Sequence, residues 1–487
     1  MKRSKFSLSN TKLLSCDMGE LVPCGLTEVL PGDSIQQNTT CMVRFSPLLS
    51  PVMHPTHVQL AHWFVPHRLV WEDFEDFITG GADGNDASTF PTIVGPGGGY
   101  AVGSLADYLG IPTGVASLEH SALPLRGYSL IWNEWYRDQD LETLLTISTA
   151  SGADSTTNTT LQRAAWEKDY FTSARPWEQK GPAITVPIGT TADVGTLAGT
   201  TGTSMTVLAP NIGSGYYAMD TDGAELNIAQ SETGTPKMYA DLSDASAVTV
   251  NILREAMALQ RFEEARARFG SRYVEYLRYL GVRSSDARLQ RPEFLGGGRY
   301  PVQFSEVLAT AEDSAESVVV GDLKGHGMGV ARSNRYRRFF EEHGYIFTFL
   351  VVKPKTIYAD GLPRTWNRRT KEDFFQKELQ HIGQQEVLNK EVYAKHASPD
   401  DPFGYQDRYD EYRRAENTIA GEFRTTLDFW HFARQFSSDP ALNASFVSCV
   451  PTENPFAVPS MDVLYIMAKH SIQARRLVAG SGKSYIY

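Results

Sequence analysis

Hydrophobic and polar residues alternate in register near the start of the chain. From Thr39 to Phe45, Thr39, Cys41, Val43 and Phe45 share one face, while Thr40, Met42 and Arg44 share the other. A period of two marks a half-buried strand. A second run, Val58 to Val65, sets Val58, Leu60, His62 and Phe64 on one side, and Pro66 ends it or confines it to a sheet edge. Late in the chain, Tyr345 to Val352 is apolar on both faces, as in a strand covered on both sides, and Val463 to Ala468 reads the same way.

The stretches between these strands are of other kinds. Residues 80–114 are crowded with Gly, Pro, Asp and Ser and read as loop. Residues 182–250 are rich in Thr, Gly, Ser and Ala. They carry seven acids (Asp193, Asp220, Asp222, Glu225, Glu232, Asp241, Asp244) against one base, Lys237. Apolar residues such as Val186, Ile188, Val194, Met205 and Val207 recur at strand-like intervals, so a small exposed β insertion fits better than a disordered linker. A helix is expected over 251–281. Asn251 is its cap, Ile252, Ala256, Leu259 and Phe262 lie on its apolar side, and Gly281 ends it. A further helix is expected to begin at Thr370, where Thr370 and Asp373 form a capping-box-like start. Strands near both ends, with helices and long loops between, predict a mainly β chain: one discontinuous domain over 1–487 that carries insertions.

The chain has 487 residues with 40 glycines and 25 prolines, which suits a loop-rich β architecture. Its formal net charge of -11 makes it a poor general nucleic-acid binder, so DNA contact requires local basic patches. Two occur at the ends. Lys2, Arg3, Lys5 and Lys12 fall within the first 15 residues without an acid. Lys469, Arg475, Arg476 and Lys483 follow Asp462, again without one. Two further clusters interleave arginine with aromatic rings: Arg332 to Phe340, with Arg335, Tyr336, Arg337, Arg338 and Phe339, then Pro363 to Arg369, with Trp366, Arg368 and Arg369. Such mixtures grip phosphates and stack bases, and they also anchor protein interfaces; subunit contact is the favoured reading here.

Candidate chemistry is thin. Cys16, Cys24, Cys41 and Cys449 form no CxxC pair and read as free thiols. His54, His57, His62 and His67 cluster in sequence, but His57 and His62 point to opposite faces of a strand, and no acid or cysteine completes a ligand set. Gly482-Lys483-Ser484 lacks the upstream glycine and following helix of a phosphate loop, and Gly325, Gly327 and Gly329 read as a glycine-rich turn. With no nucleophile elbow or HExxH motif, neither catalytic residue, metal nor cofactor is expected. The N-terminus lacks the apolar core of a signal peptide, and no apolar run is long enough to span a bilayer; synthesis in a reducing cytosol is the expectation.

Seven blocks resemble a known family. They are His57-Val-Gln-Leu-Ala-His-Trp-Phe-Val-Pro-His-Arg68, Trp132-Asn-Glu-Trp-Tyr-Arg-Asp138, Gly270-Ser-Arg-Tyr-Val-Glu-Tyr-Leu277 and Asp286-Ala-Arg-Leu-Gln-Arg-Pro292. Then come Arg335-Tyr-Arg-Arg-Phe-Phe-Glu-Glu-His-Gly344, Phe403-Gly-Tyr-Gln-Asp-Arg-Tyr-Asp-Glu-Tyr-Arg-Arg414 and His470-Ser-Ile-Gln-Ala-Arg-Arg476. In this order and over nearly the whole chain except 182–250, they are similar to major capsid proteins of the Microviridae, the gokushovirus branch in particular. The resemblance implies an eight-stranded jelly roll with long, partly helical insertions, in a T=1 icosahedral shell around circular single-stranded DNA. It implies partnership with further copies of the chain, a small basic DNA-binding viral protein, a minor or pilot viral protein and a host cell surface receptor. It also implies residence in the virion after assembly in the host bacterial cytoplasm.

Three groups of residues take roles under this reading. Lys2, Arg3, Lys5, Lys469, Arg475, Arg476 and Lys483 are expected to face DNA. Arg335, Tyr336, Arg337, Arg338, Phe339, Trp366, Arg368 and Arg369 are expected at subunit interfaces. Tyr216, Tyr217, Asp220 and Asp222 are expected on a host-attachment protrusion built from 182–250. Two rival functions make different demands. A β-rich carbohydrate hydrolase would use Trp132, Trp135 and Trp177 as sugar platforms beside paired carboxylates. A cellular single-stranded-DNA-binding protein would bind DNA tightly as a free, salt-sensitive subunit.

Overall fold

The computed structural model describes residues 3–182, 184, 206–208, 216–221, 226–228, 250–270, 272–310 and 319–480, with backbone alone in the three short strands between 206 and 228. The chain divides into two compact units: Met1–Glu178 together with Phe269–Tyr487, and Gln179–Arg268.

Two antiparallel sheets form the centre of the larger unit. The first contains β1 (Ser4–Ser7), β2 (Asn10–Cys16), β4 (Ser34–Phe45), β7 (Gln303–Leu308), β8 (Leu323–Arg332), β9 (Tyr336–Phe339) and β11 (Leu464–Arg476). The second contains β3 (Val22–Val29), β5 (Thr56–Pro66), β6 (Glu293–Pro301) and β10 (Gly344–Pro354). Their orders are β1-β11-β4-β8-β7, with β2 also on β11 and β9 also on β4, and β6-β5-β10-β3.

The inner faces of the two sheets pack against each other. Cys41, Val43, Leu464 and Ile466 of the first meet Val22, Val58, Leu60, Leu350 and Val352 of the second. Burying this apolar area is the main drive to fold. The second sheet has a further cover. Ala61, Trp63, Val65, Phe347 and Phe349 on its other face pack against Trp71 and Leu105, and against Leu125, Tyr128 and Ile131 of a helix over Leu123–Ile131. This explains why β10 is apolar on both faces.

A polar seam lies within the sandwich. His62 shares hydrogen bonds with Thr348 Oγ1 (3.0 Å) and Ser333 Oγ (2.8 Å). His470 shares one with Thr39 Oγ1 (2.9 Å) and one with the Cys24 carbonyl (3.0 Å). Every ring nitrogen has a partner, which lets two imidazoles sit among apolar strands. Burial pushes His62 down to about 3 and lowers His470, so both are held neutral.

Several local expectations require correction. The strand at Val463–Ala468 runs on to Arg476, and beyond Leu464 it alternates instead of burying both faces: Tyr465, Met467 and Lys469 are exposed. The helix expected over 251–281 is two helices, Val250–Phe269 and Tyr273–Tyr279, because Gly270 turns the backbone to φ +98°. The capping at Thr370 is present, with the Thr370 amide donating to Asp373 (2.8 Å), but it starts only one 3-10 turn, Lys371–Asp373. Gly325, Gly327 and Gly329 lie in β8, not in a turn. They face the core, where a Cβ on Gly325 would sit 2.0 Å from the Ser50 carbonyl oxygen.

Candidate nucleic-acid interface

Among the described residues, nothing packs over the outer face of the first sheet, where Leu13, Tyr465 and Met467 are exposed. Cross-strand pairing sets this face out in rows, because paired residues point the same way and alternate pairs fall on one side. Ser15, Tyr465, Arg44, Met328 and Gln303 make one row, and Leu13, Met467, Met42 and Val330 the next. Thr11, Lys469, Thr40 and Arg332 follow. Farther along come Ser7, Gln473, Gln36 and Arg337, then Lys5, Arg475, Ser34 and Phe339. Lys324 adds a base where it pairs with Val307.

Counted over its strands, this face carries seven bases (Lys5, Arg44, Lys324, Arg332, Arg337, Lys469, Arg475) and no acid. Neighbouring rows on one face lie about 7 Å apart along the strands. An apolar band of Leu13, Met42, Met467 and Val330 therefore runs between Arg44 on one side and Lys469 with Arg332 on the other. Asp462, just before β11, reaches the margin of this face, where Ser15 donates to its carboxylate; the excess of bases on a chain of net -11 still attracts a polyanion despite the overall repulsion.

The structure sorts the sequence-predicted basic residues. Lys5 and Arg475 are cross-strand neighbours, and Lys469 shares their face. Arg3 lies at the sheet margin. Its guanidinium stacks 5.5 Å from the Phe339 ring centre and donates to the Gly32 carbonyl and to Ser34 Oγ, both at 3.0 Å. Arg476 turns away from this face: its Nε lies 2.9 Å from an oxygen of the fully buried Asp33 carboxylate, so it is committed to an internal ion pair. Lys12 also points inward, hydrogen-bonded to the Tyr108 carbonyl, and burial lowers its pKa. Lys2 and Lys483 lie outside the described residues, as does Asp222; Tyr216, Tyr217 and Asp220 are described only as backbone of the strand Tyr216–Thr221.

The expected interface residues divide. Tyr336 points inward and donates to Gln37 Oε1 (2.8 Å), and Arg338 pairs with Glu293 (3.0 Å). Arg335, Arg337 and Phe339 are exposed, with Arg337 and Phe339 on the bare sheet face. Trp366 is 70% exposed, Arg368 stacks over Phe374 and Tyr412, and Arg369 donates to the Trp366 and Arg368 carbonyls. The sequence shows no cluster around Arg44 or Lys324, and Arg332 opens the first arginine–aromatic cluster; strand pairing places all three on this face. The alternation of Thr40, Met42 and Arg44 already held the signal for Arg44.

Two of the three rings named for the hydrolase reading, Trp132 and Trp135, are taken up by contacts within the fold. Trp132 Nε1 donates to the Arg163 carbonyl (3.2 Å). Trp135 is packed on Trp63 and lies under the Arg291 guanidinium (4.1 Å). Among the described residues, no group of three or more His, Cys, Asp or Glu side chains is placed to hold a metal ion, and no helix is long and apolar enough to cross a membrane.

Comparison with known proteins bears on the same question. A family model described as "Capsid protein (F protein)" matches residues 1–480. The chain is 38% identical over 496 aligned positions to capsid protein VP1 of Bdellovibrio phage phiMH2K, covering 94% of this chain and 90% of that one. It is 33% identical to capsid protein VP1 of Chlamydia phage 1, covering 94% and 91%. It is 32% identical to capsid protein VP1 of Spiroplasma virus 4, covering 91% and 87%.

Proposed function

The chain belongs to the capsid protein (F protein) family of the Microviridae, and from that premise we propose that it builds a T=1 icosahedral shell enclosing circular single-stranded DNA, with the bare face of the first sheet turned toward the genome. A structural capsid role follows from family membership itself. One observation carries the assignment of faces: seven bases and no acid on the strands of an uncovered sheet face. Each phosphate neutralised releases condensed counterions, so such a face holds DNA with a marked salt dependence. Tyr465 beside Arg44 offers a ring for base stacking next to a phosphate-binding charge.

Within this reading eight of the eleven strands in the two facing sheets form a jelly roll, and the remaining strands and the long connections are additions to it. The segment 182–250 serves host attachment as a surface protrusion, and its excess of acids suits solvent better than packaged phosphate. A small basic viral protein shares the neutralisation of DNA, and the shell also meets a minor or pilot protein. The subunit has no catalytic activity of its own. Purified chain, alone or with its viral partners, should give uniform small icosahedral particles by electron microscopy. A preparation that stays monomeric under all such conditions contradicts the shell. Replacing 182–250 with a short Gly/Ser linker should leave particles that form but no longer adsorb; particles that adsorb and infect normally contradict the attachment role.

A further inference from the structure

We propose that two surfaces of the larger unit, one acidic and one basic, meet between neighbouring copies of the chain as a head-to-tail contact. This rests on the shell reading above and names the contact.

The acidic surface lies in a stretch of one sign. Residues 69–125 hold eight acids (Glu72, Asp73, Glu75, Asp76, Asp83, Asp86, Asp107, Glu119) and neither Lys nor Arg. The short helix Phe74–Thr79 carries Glu75 and Asp76 exposed, beside an Ile78 that is 52% exposed. Phe77 and Phe90, both still partly open to water, pack on the buried Trp71 at 4.8 and 5.3 Å between ring centres. Apolar tips beside the Glu75 and Asp76 carboxylates therefore stand on a fixed base.

The basic surface is built from 363–377 and 408–414. Trp366, Phe374, Phe375 and Tyr412 are exposed there. The Arg368 guanidinium lies 5.2 Å from the Phe374 ring centre and 4.7 Å from that of Tyr412, while its buried Nε has no hydrogen-bond partner. Lys371 and Lys377 flank the rings and are exposed, Lys371 with the exposed Glu372 carboxylate 3.6 Å from its amine. Local acids are largely engaged: Asp373 accepts from the Arg369 and Thr370 amides, and Asp410 pairs with Arg413 and Arg414.

Arginine and large aromatics at the centre, charge at the rim, is the composition of an interface that supplies most of its binding energy from a few anchors. The two surfaces are complementary in sign, and no hydrogen bond or ion pair among the described residues joins them within one chain. Two different patches that fit each other make a heterologous contact, which closes into a ring when the rotation between copies allows. Opposed charge steers the encounter, and apolar tips seated among the aromatic rings hold it.

Charge reversal with rescue tests the pairing. Glu75→Lys with Asp76→Lys, and separately Lys371→Glu with Lys377→Glu, should each lower particle yield at least tenfold while leaving folded subunit; the four changes together should restore yield toward that of the parent. A second arm keeps the charges. The native cysteines are buried, so Thr79→Cys with Thr365→Cys, exposed positions beside the apolar tips and the aromatic rings, should in one chain give a ladder of disulfide-linked oligomers from oxidised particles, and neither single variant should. Double-cysteine particles that remain monomeric on a denaturing gel overturn the pairing. So do basic-surface reversals that assemble normally but package less DNA, because that surface then meets nucleic acid. If the parent itself never assembles, the shell reading fails first.

Discussion

The second sheet is covered on both faces and the first on only one. In the second, Phe347 and Phe349 of β10 pack under the helix Leu123–Ile131, while Leu350 and Val352 face the first sheet. In the first, Ile466 and Ala468 of β11 are buried, whereas Met467 and Lys469 face solvent. The same strand geometry thus serves two purposes. One sheet is spent on folding; the other keeps a face that folding does not need. The difference teaches where to look for assembly and genome contacts: at side chains whose removal leaves the subunit intact.

The largest effect should come from the covered sheet. Phe347→Ala removes a fully buried ring and should cost about 3–5 kcal/mol, seen as insoluble protein or a steep fall in the denaturant midpoint. A near-parental midpoint would mean that the cover on this face contributes little.

The seam between the sheets should show next, on lowering the pH. His62 is held near 3 in the folded chain against about 6.5 when unfolded, so the unfolded state binds more protons between these values. Stability is therefore full above about 6.5 and falls with pH, by about 2–3 kcal/mol at pH 4.5 from His62 alone. His62→Gln, if it folds, should flatten part of this slope in melts taken across the range. An unchanged slope would place the acid sensitivity elsewhere.

On the bare face, Lys469→Gln with Arg475→Gln should leave the melting curve of the subunit unchanged while weakening its binding to oligo(dT). The logarithmic salt slope should drop by about 1.4, from two lost phosphate contacts on a single strand. The smallest effect belongs to Met467→Ala in the apolar band of that face, expected within about 0.5 kcal/mol of the parent in denaturant titration. A loss of several kcal/mol there would mean that the bare face is part of the folding core.

How much of this was legible in the sequence follows from the same contrast. The two-residue period over Thr39–Phe45 and the apolar run Tyr345–Val352 identified a half-covered and a fully covered strand, because burial writes itself into residue type. Val463–Ala468 misled, since Tyr465 and Met467 are apolar yet exposed, and apolar residues on an open face read like core in the sequence. The helix break at Gly270 and the failed helix after Thr370 depend on packing that no local pattern reports. Long-range register was also hidden. Lys5 and Arg475 stand side by side through pairing between the two ends of the chain, and that pairing collects Arg44, Lys324 and Arg332 onto their face. The ion pair that withdraws Arg476 depends on Asp33, more than 400 positions away.

Contact between the bare face of the first sheet and the genome can be read out by photocrosslinking intact particles and mapping the DNA-linked peptides by mass spectrometry. Links are expected within β11, β4 and β8, at Tyr465 and Met467 above all, and they should be lost when the DNA is emptied from the shell. Links confined to other regions, together with Lys469 open to an external amine-labelling reagent in intact particles, would contradict it.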